Sequence, residues 1–189
     1  MKLYNYKDHD EYVREQTRAN VIKLNKVWVS KKTIALIKDK VNYATNILCH
    51  GTRNAAEQKL FLEHYPEAKV IGTEISHTAS DFDMTIQHDF HEVKYEWLDK
   101  FDIVYSNSFD HSYDPKKSLS AWKDQLNFSG SLFIELMTGD DQKSKSTDPL
   151  EINEEEFKDL STSIGLNVED RYLTTGGDSR TSILYRLTK

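Results

Sequence analysis

Residues 46–61 read NILCHGTRNAAEQKLF, a short apolar strand followed by a tight turn at Gly51 and the start of a helix. A turn of this kind directs backbone N–H groups and the N-terminus of a helix at one point, where a nucleotide-type cofactor can bind. A second apolar strand closes on Glu74, 23 positions after Gly51. An acid about 20 residues beyond such a turn is placed to bind the two hydroxyls of a ribose. Turn and acid together predict a cofactor that contains adenosine.

The residues of the turn indicate which cofactor it is. A dinucleotide site needs the pattern G-x-G-x-x-G, whose second glycine lets a pyrophosphate approach the backbone. Here residues 51–56 read GTRNAA, so the long side chain of Arg53 stands where the pyrophosphate would lie. S-adenosylmethionine (SAM) has no phosphate and carries a carboxylate, which an arginine can bind. The turn therefore favours SAM over NAD.

The chain as a whole alternates between strands and helices. Two helices are predicted first, over 8–26 and 31–43, from apolar residues at helical spacing. Five strands follow, with helices between and after them: strands at 46–50, 69–74, 84–88, 101–107 and 130–136, and helices at 54–65, 115–127 and 153–164. A polar, mobile loop is expected over 138–148, and an antiparallel hairpin joined across Gly176-Gly177 ends the chain. We predict one domain over residues 1–189, with a helical extension (1–43) and an α/β core (44–189).

The turn, the acid and the order of elements resemble those of the class I SAM-dependent methyltransferases. The resemblance covers roughly residues 44–189 and extends to small members of the family that also occur in phage genomes. It departs from the commoner E/D-x-G-x-G-x-G form, because His50 precedes the first glycine and Arg53 replaces the second. The family's fold is α/β: a doubly wound, Rossmann-like sheet of seven strands, mostly parallel, with helices on both faces. Its last strand runs antiparallel between the fifth parallel strand and the first hairpin strand, where a dinucleotide fold would keep a sixth parallel strand.

The resemblance also implies which residues hold the cofactor. The turn and the loop after the fourth strand would cradle the methionine part; the residues concerned are His50, Gly51, Thr52, Arg53, Asn107 and Ser108. Glu74 would bind the ribose hydroxyls, and Ile75 would offer an apolar face to the adenine. Asp89 would accept a hydrogen bond from the adenine amino group, while Phe90 would pack on the ring.

These residues also have ordinary structural interpretations. Glu74 can instead be an exposed acid at a strand end, and Asp89 can be a loop acid beside Phe90 as a core residue. His50 can satisfy the backbone of the turn. Arg53 can pair with Glu57, four positions later on the same helix.

Asp110 and His111 follow the fourth strand, at the edge of the sheet where ligands bind in open α/β folds. In the methyltransferases that the chain resembles, this loop is where the methyl group meets the acceptor. Histidine titrates near neutral pH, so these two residues are the candidate general bases. Alternatively, Asp110 caps the turn and His111 is a polar surface residue. The N/D-P-P-Y/F motif of amine methylation is absent, since residues 107–109 read NSF, which argues against methylation of adenine N6 in DNA.

Composition argues against several other classes of protein. The 189 residues carry a net charge of −6 without a lysine- and arginine-rich tract, which argues against a nucleic-acid partner. No apolar run approaches the ~18 residues of a membrane span, and the polar N-terminus does not resemble a secretory signal. The one cysteine, Cys49, excludes an internal disulfide, so we expect a cytoplasmic protein. His88 and His91 flank Asp89 without a third and fourth ligand, so no metal site is predicted.

The predicted function is transfer of a methyl group from SAM to an oxygen or nitrogen of a small polar acceptor. Two alternatives stay open. An NAD-dependent oxidoreductase is disfavoured by Arg53 and by the lack of an identifiable Tyr-x-x-x-Lys pair. A non-catalytic SAM-binding module is compatible with the same residues, because class I methyltransferases share no universal catalytic residue.

Overall fold

The computed structural model describes residues 1–137, 143–177 and 179–189. The helices are α1 (His9–Ile22), α2 (Lys31–Lys40), α3 (Ala56–His64), α4 (Pro115–Gln125) and α5 (Glu154–Ser163). The strands are β1 (Lys2–Leu3), β2 (Asn46–His50), β3 (Lys69–Glu74), β4 (Thr85–Gln87), β5 (Phe101–Ser106), β6 (Leu126–Met137), β7 (Leu150–Glu151), β8 (Asn167–Thr175) and β9 (Thr181–Thr188). Within these ranges, none of the helices combines the length and hydrophobicity needed to span a bilayer.

Seven of the strands form one sheet in the order β4-β3-β2-β5-β6-β9-β8. The first five run parallel to one another, whereas β9 runs antiparallel to both β6 and β8. This confirms the predicted Rossmann-like sheet with an antiparallel strand from the C-terminal hairpin. The order of the strands reverses between β2 and β5, so the carboxyl ends of these two strands open a crevice.

Helices cover both faces of the sheet because its central strands are apolar on both sides. On β2, Leu48 belongs to the core under α4 and α5, which includes the fully buried Trp122. The next residue, Cys49, belongs to the opposite core, with Ile34 of α2 and Phe61 of α3. Each large apolar side chain buried in this way is worth roughly 1.5–3 kcal/mol. The predicted placement of helices on both faces is confirmed, and Cys49 is a buried core residue.

Polar side chains fix the starts of several helices. Asp8 accepts a hydrogen bond from the backbone N–H of Glu11 at the start of α1. Ser30 caps α2 in the same way, and Asp114 caps α4 directly before Pro115. A side-chain cap of this kind is worth roughly 0.5–2 kcal/mol. The caps place the helix N-termini where the sequence pattern predicts them.

Most element bounds lie within three residues of the prediction, and two differ by four residues. α1 ends at Ile22 rather than at residue 26, because the backbone turns back at Lys23. β6 begins at Leu126 rather than at residue 130, because Leu126 pairs with Phe101 as soon as α4 ends. The antiparallel pair of β1 and β7 was not predicted, since two residues carry no periodic pattern.

The N-terminal extension lies across the carboxyl edge of the large sheet. Tyr12 of α1 is buried, and its hydroxyl donates to the backbone carbonyl of His111, 3.2 Å away. The extension also holds part of the loop that was expected to be mobile, because the Tyr6 hydroxyl donates to the carbonyl of Ser146 at 2.6 Å. Residues 138–142 of that loop lie outside the described residues. Helix α1 therefore forms one wall of the crevice.

Candidate functional site

Two adjoining cavities open at the carboxyl ends of β2, β3 and β5. We call the first the narrow cavity: its volume is about 40 Å³, and it lies between α1 and the strand ends that carry Gly51 and Glu74. We call the second the wide cavity: its volume is about 450 Å³, and its walls include Lys23, Trp28, Asn107, Asp110, Glu135, Lys143, Asp148 and Arg180. Arg53, Ser108 and His111 line both cavities and form the border between them.

The turn after β2 requires a glycine at position 51. Gly51 has a φ of 71°, and a Cβ there would lie 2.6 Å from the Cβ of Ser108. Arg53 and Ala55 also have positive φ angles, 42° and 60°, which are unfavourable for residues with side chains. The backbone is held in this shape by the N–H of Thr52, which donates to the carbonyl of Thr73 at 2.9 Å. Strain of this kind is concentrated at functional sites.

Glu74 lies beside this turn, where the sequence predicts it. Its carboxylate is only 8% exposed and lines the narrow cavity. One oxygen accepts from the backbone N–H of Arg53 at 3.2 Å, and the other accepts from the N–H of Ser76 at 3.0 Å. These bonds fix the carboxylate while each oxygen keeps a lone pair for another donor.

Two buried donors beside Glu74 have no partner in the described part of the chain. They are the Nδ2 group of Asn20 and the Nε group of Arg53. The other end of the Asn20 amide is fixed, because its Oδ1 accepts from the Thr78 hydroxyl at 2.9 Å. Leaving a buried donor unpaired costs about 1–3 kcal/mol. Both residues line the narrow cavity, so a ligand with acceptor atoms would relieve this cost.

Arg53 does not form the alternative ion pair with Glu57. Its guanidinium instead lies over the ring of Trp28, 5.6 Å from the centroid. Glu57 is buried and accepts from the side-chain amide of Asn107 at 3.3 Å, and its second oxygen is unpaired among the described atoms. Burial raises the pKa of Glu57 to about 7. The carboxyl group of Glu57 therefore holds Asn107 in the loop after β5, while the guanidinium of Arg53 lines both cavities.

Three of the predicted cofactor residues place their side chains away from both cavities. His50 lies in the core, where its nitrogens bond the Thr73 hydroxyl at 2.9 Å and the Gln125 amide oxygen at 2.8 Å. Burial lowers the pKa of His50 to about 3, so the ring is neutral. The hydroxyl of Thr52 is also buried, where it accepts from the Gln58 amide at 3.0 Å. The third is Asp89.

Asp89 is tied to two histidines. One carboxylate oxygen accepts from the backbone and the Nδ1 of His91, and the other lies 2.9 Å from the Nε2 of His9. Burial raises the pKa of Asp89, but these hydrogen bonds outweigh burial and hold the pKa well below its usual range. Phe90 and Ile75, in contrast, line the narrow cavity as the sequence predicts for the adenine subsite. His88 bonds the carbonyl of Glu92 instead of joining a metal site with His91.

The candidate base, His111, has a defined tautomer. The Nε2 group of Gln16 has three acceptors at 3.3 Å: the Tyr6 hydroxyl and the carbonyls of Ser146 and Thr147. This network assigns the orientation of the amide, so the Oε1 of Gln16 faces the Nδ1 of His111 at 2.8 Å. Nδ1 must then carry the hydrogen. The Nε2 lone pair of the neutral ring is left free for a proton.

Two carboxylates stand beside that lone pair. Oxygens of Asp110 and Asp148 each lie 3.8 Å from the Nε2 of His111. Burial raises the pKa of Asp110. Burial also opposes ionisation of Asp148, but His111 and Lys145 hold the pKa of Asp148 below its usual range. Among the residues that the structure describes, these three side chains form a group whose ligand atoms lie within 4.8 Å of one another, so they can stabilise a positive charge at Nε2.

Sequence reasoning missed the contributions of α1 and of the segment before β7. Gln16 and Asn20 are buried polar residues of α1. In the sequence they look like the other polar residues of that helix. Asp148 lies in a segment that reads as a polar loop. No local signal could have found them, because their importance follows from where α1 crosses the sheet.

Comparisons with known proteins support the fold. No family model matches the chain, and no curated protein matches its sequence. Among solved structures, the chain is similar to Burkholderia thailandensis 1,6-didemethyltoxoflavin-N1-methyltransferase with bound 1,6-didemethyltoxoflavin and S-adenosylhomocysteine. The TM-score is 0.76 at 13% identity over 98% of this chain and 92% of that one.

Two further solved structures have the same architecture. The TehB-like SAM-dependent methyltransferase from Corynebacterium glutamicum gives a TM-score of 0.60 at 15% identity, over 96% of this chain and 98% of that one. The glycopeptide N-methyltransferase MtfA complexed with sinefungin gives 0.64 at 11% identity, over 85% and 87%. The sheet and its flanking helices are thus those of the class I methyltransferase fold.

Proposed function

We propose that the protein is a SAM-dependent methyltransferase acting on an oxygen or nitrogen of a small polar acceptor. The observation that carries this proposal is the border between the two cavities. The narrow cavity contains donors and a carboxylate suited to a nucleoside, and the wide cavity has room for a small molecule. His111 lies at their junction with a free lone pair, where a transferred methyl group would pass from one cavity to the other.

The polar groups of the narrow cavity fit SAM. Glu74 would accept from the ribose hydroxyls, and the unpaired Nδ2 of Asn20 would donate to an acceptor atom of the adenosine. Arg53, whose Nε is unpaired, would bind the carboxylate of the methionine part. Ile75 and Phe90 would contact the adenine. The similar structures with S-adenosylhomocysteine and sinefungin support this choice of cofactor.

The remaining residues predicted to contact the cofactor belong to the same proposal. Asn107 and Ser108 would border the methionine part from the loop after β5. His50 and Thr52, which line neither cavity, would contribute through the backbone of the turn. Asp89 would reach the adenine amino group only if His9 released it. At about 40 Å³ the narrow cavity is far below the roughly 300 Å³ of an ordinary ligand site. The lining of the narrow cavity would therefore rearrange to admit the cofactor, with the hydrogen bond between Gln16 and His111 kept.

SAM supplies an electrophilic methyl group on a sulfonium. When the acceptor formed its bond to that carbon, the carbon–sulfur bond would break with its electron pair on sulfur, and S-adenosylhomocysteine would be left. The acceptor proton would pass to the Nε2 of His111. Asp110 and Asp148, each 3.8 Å from that nitrogen, would stabilise the imidazolium. Most of the acceleration would come from holding the two reactants in line across the border.

A labelled-methyl assay tests the proposal. Transfer from methyl-labelled SAM to a panel of small hydroxyl and amine acceptors is measured for the wild type and for His111→Gln. We expect His111→Gln to bind SAM but to lower kcat by about 10²–10⁴-fold, the usual contribution of a general base. His64→Gln, on the far end of α3, is the matched control and should behave as the wild type. SAM binding without turnover on any acceptor would instead identify a non-catalytic SAM-binding module, and full activity of His111→Gln would remove His111 from the mechanism.

A further inference from the structure

Among the residues that the structure describes, the lining of the wide cavity carries more positive than negative side chains, although the chain as a whole is acidic. These described residues include five cationic side chains, Lys23, Arg53, Lys143, Lys145 and Arg180, and three carboxylates, while the net charge of the protein is −6. A concave surface with walls of low dielectric concentrates the field of the charges that line it. The cavity is therefore suited to attract anions that the rest of the surface repels.

Two of the three carboxylates are already compensated within the protein. Glu135 accepts hydrogen bonds from the hydroxyls of Tyr105 at 2.9 Å and Thr174 at 3.1 Å. Asp148 forms an ion pair with Lys145, whose Nζ lies 2.7 Å from its carboxylate. The third carboxylate, Asp110, stands beside His111 at the border of the cavities. Once Asp148 is paired with Lys145, the four other cations of the described lining still outnumber the two other carboxylates, Glu135 and Asp110.

Three of the cationic side chains have no ion-pair partner within residues 1–137, 143–177 and 179–189: Lys23, Lys143 and Arg53. Burial lowers the pKa of Arg53, and its Nε donates to no acceptor there. Arg53 and Arg180 both lie over Trp28, at 5.6 and 4.9 Å from the ring centroid, so the aromatic ring fixes two guanidinium groups in the wall. Arg53 belongs to the border and is assigned above to the cofactor carboxylate. Lys23, whose charge also acts on Asp110 and Asp148 without an ion pair to either, and Lys143 are left for the second ligand.

We infer that the methyl acceptor is an organic anion, a molecule with a carboxylate or phosphate group that Lys23 and Lys143 bind. Its hydroxyl or amine would face His111 while its anionic group lies against Lys23 and Lys143. This inference rests on the proposed function, because it names the substrate class of the same site. Neither lysine lines the narrow cavity proposed for SAM, so the two proposals can fail separately.

The test compares acceptors that differ only in charge. The protein saturated with S-adenosylhomocysteine is titrated with 4-hydroxybenzoate against 4-hydroxybenzamide, and with glycerol 3-phosphate against glycerol; inorganic phosphate is the competitor. We expect at least one anion to bind about tenfold or more tightly than its neutral partner, because a charge-assisted hydrogen bond is lost in the neutral molecule. The carboxylate and phosphate pairs show which anionic group is preferred.

Variants assign the preference to the two lysines. The double variant Lys23→Gln/Lys143→Gln should bind the anions no better than the neutral molecules, while its affinity for S-adenosylhomocysteine stays that of the wild type. Lys100→Gln, at the opposite end of β5, removes the same type of charge from an exposed position and should retain the preference. The inference would be overturned if the charged and neutral molecules of each pair bound equally tightly, or if none of the anions bound. It would also be overturned if the double variant kept the full preference for anions. Failure to bind S-adenosylhomocysteine would instead overturn the proposed function.

Discussion

The Oε1 of Gln16 lies 2.8 Å from the Nδ1 of His111, so α1 orients the imidazole at the end of β5. The N-terminal extension is thus part of the site rather than an appendage to it. Its amide fixes which ring nitrogen is protonated and leaves the other, Nε2, directed at two carboxylates. A base whose tautomer is set in this way needs no reorganisation before it accepts a proton.

Removing the amide of Gln16 should therefore slow methyl transfer. We expect Gln16→Leu to lower kcat by about ten- to a hundredfold, the cost of a misplaced catalytic group, with a smaller change in KM for SAM. Gln16→Glu keeps an acceptor for Nδ1–H and should recover part of kcat. Steady-state kinetics of both variants would be compared with Arg18→Gln, an exposed residue on the same helix. Equal loss in Gln16→Glu and Gln16→Leu would show that Gln16 serves only the fold.

The unpaired amide of Asn20 should contribute to cofactor affinity. Asn20→Ala removes a donor that has no partner in the described structure, and we expect SAM to bind roughly three- to tenfold more weakly, as for the loss of one hydrogen bond. Thr78→Val is the matched control, because it breaks the same Thr78–Asn20 bond but leaves the Nδ2 donor in place. Calorimetric titration with SAM measures both. If Thr78→Val weakens binding as much as Asn20→Ala, the effect comes from packing of α1 and not from a contact with the cofactor.

The parts of the fold that sequence predicts well are those fixed by local pattern. β2 and β3 have the predicted bounds, because a strand that is buried on both faces is a short apolar run whose ends are visible in the sequence. The positions of Gly51 and Glu74 follow in turn, since each ends a strand at the same edge of the sheet. The antiparallel insertion of β9 was predictable only through the resemblance to a known family.

The remaining parts of the site depend on tertiary contacts that no local pattern encodes. The side chain of His50 follows the alternation of β2 into the core, where Thr73 and Gln125 bond it. Asn20 and Gln16 matter because α1 crosses the strand ends, and the sequence of an amphipathic helix does not show what it packs against. Residues of a helix that line the narrow cavity were therefore missed, while a strand-end histidine whose side chain lies in the core was expected there.

The buried carboxyl group of Glu57 should make stability depend on pH. Its pKa in the folded protein, about 7, lies above the ordinary value of 4.5, so the folded state favours the protonated form. Its stabilising contribution is fully present below pH 4.5 and is lost as the pH rises through 7, a change of roughly 3 kcal/mol. Glu57→Gln is neutral throughout. The free energy of unfolding of the variant, relative to the wild type, should therefore rise by about that amount between these conditions.

Denaturant titrations at several pH values between these limits measure this difference. Glu67→Gln, an exposed residue just beyond α3, is the control and should follow the wild type at every pH. A constant difference between Glu57→Gln and the wild type across the range would show that Glu57 ionises in the folded protein as it does in the unfolded chain.

The central claim is that the crevice at the carboxyl edge of β2 and β3 binds SAM through Glu74. Calorimetric titration of the wild type, Glu74→Ala and the exposed control Glu63→Ala with SAM, S-adenosylhomocysteine and NAD tests it most directly. We predict micromolar binding of the first two ligands, no binding of NAD, and a loss of about 2 kcal/mol or more in Glu74→Ala alone, the cost of removing a charged hydrogen-bond partner. Binding of NAD in place of SAM, or an affinity for SAM that Glu74→Ala leaves unchanged, would contradict the account.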